Sequence, residues 1–319
     1  MTKYMDSYSD ETYIGSGTYS KVYKIDDNRA SKYIKADSVT HIPSSSIWEV
    51  SIPTSLRHRN IVKIEEVVLD EDGVHIIMPL YQPISKIDTT IMYKLLHALR
   101  YMHRNNIIHR DLKRYNILMD DDEPIIIDFS IARVGLLPAM SPNVYTLGCR
   151  PPYVISHKYG YEADVYALGM TFLSILYNIS NLRLSRLSDE SIRRKISRAG
   201  DKGRIISLMV RGSPIDDIMK DPIFSNMTEP SYQDPVYNIC RPLSDIDISM
   251  LDDSMRYYRK TDPYLRKVAL SLLSQIEDPQ RYSNFVVCVA ITITSDNVQY
   301  SLRRESLDKI IRCMYIEIM

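Results

Sequence analysis

His109-Arg110-Asp111-Leu112-Lys113-Arg114-Tyr115-Asn116 is the stretch whose composition is hardest to obtain by accident. Six particular residue types at fixed places within eight positions arise by chance on the order of once in 10⁵ chains of this length, at equal residue frequencies. Outward from it the pattern is regular. On the N-terminal side, Ile91, Met92, Leu95, Leu96, Leu99 and Met102 recur at three- and four-residue spacing, which predicts a helix from Thr89, followed by a strand-like Ile107-Ile108. On the C-terminal side, Ile125-Ile126-Ile127 reads as a buried strand that delivers Asp128 and Phe129.

Farther toward the N-terminus the chain reads as strands with one helix. Tyr13 to Ile25 and Ala30 to Ile34 are rich in Tyr, Val and Ile, and Asp26-Asp27-Asn28-Arg29 between them is a polar cluster of hairpin type. A second pair, Val62 to Leu69 and Val74 to Leu80, flanks Asp70-Glu71-Asp72-Gly73, whose Asp-Gly end suits a tight hairpin. Ser44 to Leu56 is the candidate helix between the two ribbons. Beyond Thr89 helices dominate. The fold class expected is therefore α+β and bilobal, with a small antiparallel β lobe plus one helix and a large, mainly helical lobe; a crevice between lobes is a natural ligand site.

The first ribbon contains Ile14-Gly15-Ser16-Gly17-Thr18-Tyr19-Ser20-Lys21-Val22. Glycines at alternate positions let backbone N–H groups approach phosphate oxygens with no Cβ in the way, although a Gly-x-Gly hairpin is more often only a turn. Ser20 stands where a third glycine would complete the fuller pattern.

Composition excludes several classes. The chain has 319 residues, 45% apolar and 25% charged, with 40 basic residues balancing 40 acidic ones. These are values of an ordinary folded protein with no global field to attract nucleic acid or an anionic membrane, and neither is expected as a partner. Cys149, Cys240, Cys288 and Cys313 lie far apart with no CxxC pair, which suits reduced, structural thiols. The polar N-terminus and a longest apolar run of only Phe285 to Ile293 predict an intracellular protein, cytoplasmic or nuclear, without a membrane span. Asn181 to Arg204 is basic, with eight Lys/Arg against three Asp/Glu, and Ser213 to Asp262 is acidic, with ten Asp/Glu against five Lys/Arg. Both are read first as solvated surface.

The His109 to Asn116 stretch resembles the catalytic loop of the eukaryotic-type protein kinases, serine/threonine class, and the resemblance runs from about Tyr13 to about Ala290. It implies a kinase domain over 13–290, with a small lobe over about 13–80 and a large lobe over about 81–290, an N-terminal extension over 1–12 and a C-terminal tail over 291–319. The implied cofactors are ATP and Mg²⁺, and the implied substrates are proteins. The same resemblance makes Asp111 the carboxylate that orients the acceptor hydroxyl, and Lys113 the cation that reaches the transferring phosphate and favours Ser/Thr acceptors. Asn116 and Asp128 become the magnesium ligands, as hard oxygen donors. Ile14 to Val22 would cover the nucleotide, Lys32 would meet its α- and β-phosphates with Glu49 holding it, and Pro79, Leu80 and Tyr81 would bind adenine through their backbone behind Met78. Lys35 competes with Lys32 but points to the other strand face. Asp164-Val165-Tyr166-Ala167-Leu168-Gly169 resembles the helix whose Asp anchors the catalytic loop, and Asp278-Pro279-Gln280-Arg281 a late large-lobe motif.

Pro43 to Glu49 and Arg57 to Lys63 are closest in pattern to the cyclin-dependent kinases, which implies a cyclin-like regulatory partner. Four departures stand against the family pattern. Ser130 replaces the glycine after Asp128-Phe129; Pro151-Pro152-Tyr153 replaces Ala-Pro-Glu, depriving Arg281 of a carboxylate; Pro53 should kink or stop the first helix; Trp48 replaces a phosphate-binding arginine. Ser141 falls near the family's activating threonine, with Arg110 and Arg133 as candidate phosphate ligands. The alternative from another class is a pseudokinase, a binding or scaffold protein that transfers nothing. A kinase-like phosphotransferase for small molecules is disfavoured by the intact His-Arg-Asp-Leu-Lys pattern.

Overall fold

The computed structural model describes residues 12–17, 20–35, 44–69, 73–134, 144–156, 159–233 and 299–300. In chain order the elements are β1 (Tyr13–Ser16), β2 (Ser20–Lys24), β3 (Arg29–Lys35), α1 (Ser44–Ser55), β4 (Arg57–His58), β5 (Glu66–Leu69), β6 (Gly73–Pro79), β7 (Gln82–Pro83), α2 (Thr89–Arg104), β8 (Ile107–Ile108), β9 (Ile117–Asp120), β10 (Glu123–Ile126) and β11 (Arg133–Val134). There follow α3 (Glu162–Leu176), α4 (Asn181–Leu184), α5 (Asp189–Arg198), α6 (Gly200–Val210), α7 (Ile215–Met219), β12 (Tyr232–Gln233) and β13 (Gln299–Tyr300). They fall into two compact units, one holding the described residues of 12–55, 63–80 and 299–300, the other those of 56–62 and 81–233.

The first unit is a sheet of order β1-β2-β3-β6-β5-β13 together with α1. All its pairings are antiparallel except β13 on β5. The stretch expected as one strand over Tyr13 to Ile25 is two, β1 and β2, because the chain reverses at Gly17, whose N–H donates to the Ser20 carbonyl at 2.9 Å. The Asp26 to Arg29 turn behaves as its polarity predicts: Asp26 accepts from the Asn28 N–H at 2.9 Å and from Arg29 Nε at 2.8 Å. In the middle of the sheet Ile76 and Ile77 are fully buried, and Ile34 and Val74 nearly so. Gly73 lies where β6 crowds β3; a Cβ there would sit 2.1 Å from the Ile34 carbonyl oxygen, so only glycine fits. Pro53 lies inside α1, which continues past it to Ser55.

The second unit is mainly helical. Asp88 caps α2 by accepting from the Ile91 N–H at 2.8 Å, and Met92, Leu95, Leu96, Leu99 and Met102 are all fully buried, as the spacing predicts. Almost every residue of α3 from Ala163 to Ile175 is buried, the polar Asp164, Thr171 and Ser174 among them, so this helix is enclosed on all sides. At Gly169 a Cβ would come within 2.9 Å of the Met209 Cβ on α6, and glycine permits that approach. The antiparallel pair β9-β10 and the short pair β8-β11 bracket the His109 to Asn116 loop. On α5, Arg193, Arg194 and Arg198 are exposed, the solvated face its composition predicts. Burial pushes the Cys149 thiol up to about 11, as suits a structural cysteine; Cys240, Cys288 and Cys313 lie outside the described residues. Among the described residues no helix is long and apolar enough to cross a membrane.

Candidate active site

In the first unit β3 and α1 each contribute one side chain. Lys32 Nζ donates to Glu49 Oε1 at 2.7 Å, and the two side chains are only 13% and 5% exposed. Lys32 is opposite Val22 on one side and Ile76 on the other, at the sheet's centre, whereas Lys35 ends the strand exposed. Ile14, Gly15 and Ser16 lie on β1 and Ser20, Lys21 and Val22 on β2, with Gly15 facing Val22 in the register. A Cβ on Gly15 would meet no atom of the described residues within 4 Å, so among them the backbone there is open to an approaching group. Met78 is buried near the end of β6, Pro79 closes that strand, and the Leu80 N–H donates to the Asn28 carbonyl at 2.7 Å. Tyr81 belongs to the second unit.

The second unit gathers the loop residues around Asp111. Its Oδ2 accepts from Lys113 Nζ at 2.5 Å and from Asn116 Nδ2 at 3.1 Å, and its Oδ1 from Thr146 Oγ1 at 2.7 Å. Asn116 Nδ2 also reaches the Asp111 carbonyl at 2.9 Å, so its amide nitrogen is committed to Asp111 and the amide oxygen is the atom left for a cation. The Asn116 carbonyl accepts from the Ile127 N–H at 3.0 Å, which sets Asp128 one residue away from that contact. Asp128 itself adopts φ of 66°, and its Oδ1 accepts from Ser130 Oγ at 2.7 Å.

A second carboxylate holds this loop in shape. Asp164, fully buried on α3, accepts from the backbone N–H groups of His109 and Arg110 at 2.7 and 2.9 Å, from Tyr145 Oη at 3.0 Å and from His103 Nε2 at 3.2 Å. Burial works to raise its pKa, but the His103 hydrogen bond, the nearby imidazoles and the His109 N–H prevail and hold it below the ordinary carboxylate value. Arg110 has φ of 67°, a left-handed turn at which both consecutive N–H groups converge on Asp164. Its Nε donates to the Ile131 carbonyl at 2.6 Å.

Thr146 and Tyr145 were not foreseen. Tyr145 has φ of 64°, rare for a bulky side chain, and is held at three points. Its N–H donates to the Arg110 carbonyl at 3.0 Å, its carbonyl accepts from Arg150 Nε and Nη2 at 3.1 and 2.9 Å, and its hydroxyl meets Asp164. That grip places Thr146 on Asp111. The sequence offers no local signal for either, because the contact closes over 35 residues. Thr18, Tyr19, Ser141 and Arg281 lie outside the described residues, and Arg133 Nη1 donates to the Ala132 carbonyl at 3.2 Å. Tyr153, where a glutamate is expected, is partly exposed with its hydroxyl pKa raised by burial.

The family model described as the protein kinase domain matches residues 8–213. The chain belongs to the protein kinase family. It is similar to cyclin-dependent kinase 10 of Mus musculus, with 32% identity over an alignment of 189 residues and a coverage of 51% of this chain and 52% of that protein. The chain thus spans about half the length of the curated relative it matches. The bilobal kinase fold agrees with the two units described above.

The family implies Mg²⁺ and ATP, and the second unit's side chains can be tested against them. Among the described residues no group of three or more His, Cys, Asp or Glu side chains could hold a metal ion by itself. Magnesium does not need one: it keeps several waters and takes one or two protein oxygens beside substrate phosphates. The Asn116 amide oxygen and the Asp128 carboxylate are a donor set of that kind.

Proposed function

We propose that the chain is a serine/threonine protein kinase that transfers the γ-phosphate of ATP to protein hydroxyl groups. The observation that carries this reading is the Asp111 carboxylate, fixed at once by Lys113, Asn116 and Thr146. A carboxylate so constrained can accept a hydrogen bond from an acceptor hydroxyl, orient its oxygen and take its proton as the bond forms. Lys113, already beside it, offers positive charge to the oxygens of the transferring group. Lys32, held by Glu49, is the cation for the inner phosphates; Ile14 to Val22 cover the nucleotide; Pro79, Leu80 and Tyr81 meet adenine. Asn116 and Asp128 would hold magnesium, which supplies neutralisation of phosphate charge when bound.

The kinase domain, on this reading, extends over 13–290, and a cyclin-like partner engages α1, whose likeness to the cyclin-dependent kinases motivates it. Ser141, once phosphorylated, would be read by Arg110 and Arg133. The pseudokinase reading draws on Ser130, Tyr153 and Pro53. Radiolabelled phosphate transfer to a generic basic protein separates the two. Wild type should transfer, and Asp111→Asn should lose about 10²- to 10⁴-fold of the rate while unfolding at the same temperature. Equal signal from both proteins would refute the role of Asp111 and favour a binding protein.

A further inference from the structure

The segment from Ile127 to Ala132 is pinned on both sides of Asp128. Ile127 is held through its N–H by the Asn116 carbonyl at 3.0 Å and through its carbonyl by His109 Nε2 at 3.1 Å. Phe129 is fully buried with its ring 4.9 Å from that of His109, and its carbonyl accepts from the Ala132 N–H at 3.0 Å. The backbone is therefore set, in a left-handed conformation at Asp128 with φ of 66°. What such a backbone does not set is the direction of the carboxylate, which turns about two side-chain bonds.

Ser130 supplies a restraint on that direction. Its Oγ donates to Asp128 Oδ1 at 2.7 Å, the length of a charge-assisted O–H···O⁻ bond. A glycine at this place has no atom that could make it. Ser130 has no positive φ, so the hydroxyl comes without any demand for backbone freedom at that residue. We propose that Ser130 is a positioning residue: its hydroxyl fixes the Asp128 carboxylate in the orientation that receives magnesium, compensating by side-chain bonding for a segment that cannot rely on glycine. This rests on the nucleotide-binding reading above. Hydrogen bonds to metal-binding groups commonly govern affinity by tenfold or more, because they remove wrong orientations of the ligand atom.

The test titrates MgCl₂ into the full chain with a fixed concentration of a non-hydrolysable ATP analogue and follows the unfolding temperature, for wild type, Ser130→Ala and Ser130→Thr. The half-saturating magnesium concentration should rise about tenfold in Ser130→Ala, and Ser130→Thr, which keeps the hydroxyl, should stay within about twofold of wild type. In transfer assays the same change should appear in KM for magnesium far more than in kcat at saturating metal. An unchanged or lowered midpoint in Ser130→Ala, or a Ser130→Thr protein that behaves like Ser130→Ala, overturns the assignment and leaves the nucleotide reading standing. A wild type whose unfolding temperature ignores both nucleotide and magnesium overturns the reading and the assignment together.

Discussion

The Lys32–Glu49 contact and the Asp164 cluster place buried charge in two different ways. The first joins a strand to a helix by one 2.7 Å ion pair between two side chains. The second is a single carboxylate with donors from α2, the His109-Arg110 loop and Tyr145, two of them backbone N–H groups. An ion pair holds two elements at a distance, and either partner can be replaced along with the other. A carboxylate that accepts backbone N–H groups dictates the path of the chain, and no compensating side chain can restore that path. The candidate catalytic loop is built on the second principle.

The largest effect should follow from breaking the cluster. Asp164→Ala strands four donors in a fully buried place and should cost about 3–5 kcal/mol in urea unfolding, with transfer activity lost in parallel. A loss below about 1 kcal/mol would mean that the loop holds its shape without Asp164. The pH direction follows from the lowered pKa: the carboxylate's contribution is complete above its unfolded value of 3.8 and falls away as pH drops through the still lower folded value.

Lys32→Ala comes next, at about 3 kcal/mol, since it takes the ammonium from beside a buried Glu49 carboxylate. Here the comparison makes a sharper demand. The double replacement Lys32→Met with Glu49→Leu should recover most of the stability, as apolar substitutes for buried pairs do, and recover none of the activity. Failure of the pair to recover would show that it too belongs to a wider network.

Two neutral rings give a contact of a third kind. His58 Nδ1 accepts from the Asn60 N–H at 3.0 Å, so the ring's proton sits on Nε2 and faces His97 Nδ1 at 2.9 Å. Tyr101 and Tyr232 pack against His58, Glu123 lies within electrostatic reach of it, and Arg100, Arg104 and Glu229 surround His97. Burial first, and the His97 ring second, depress the His58 pKa to about 3 from 6.5. A depressed histidine is protonated in the unfolded chain before the folded one, so stability is complete above about 6.5 and falls with acid down to about 3. The slope approaches 1.4 kcal/mol per pH unit in that window. Urea midpoints from pH 7 to pH 4 should flatten in His58→Asn, and an unaltered acid slope would remove His58 from the account.

The sequence made the ion pair legible and the cluster only half so. Lys32 and Glu49 occupy a strand centre and a helix, and the order of such residues along the chain carries their pairing. The His109 to Asn116 stretch is likewise local, and the α2 periodicity predicts most of the buried face, although Ile91 is only partly buried and His97 and Ala98 are buried beside the expected positions. Thr146 and Tyr145 were illegible for a physical reason: their partners are reached through a left-handed tyrosine, and no pattern of residue types announces a positive φ at a bulky side chain. The split of Tyr13 to Ile25 into two strands was obscured by continuous β propensity on both sides of the glycine turn.

The smallest effect is the most discriminating. Tyr145→Phe removes one of the four donors to Asp164 and keeps the ring, whose edge-on contact with Tyr159 lies at 5.9 Å and 71°. The hydroxyl pKa is raised well above 10 by burial and by Asp164, so the phenol is a protonated donor at any working pH. Its removal should cost about 1 kcal/mol. Activity should change little, because the Arg110 carbonyl and the Arg150 guanidinium still fix the backbone that aims Thr146 at Asp111. If the loss comes from Asp164 alone, the same substitution in the Asp164→Ala background should cost nothing further. An equal loss in both backgrounds would mean that the Tyr145 hydroxyl stabilises the loop independently of Asp164, and the carboxylate cluster would then have three donors that matter rather than four.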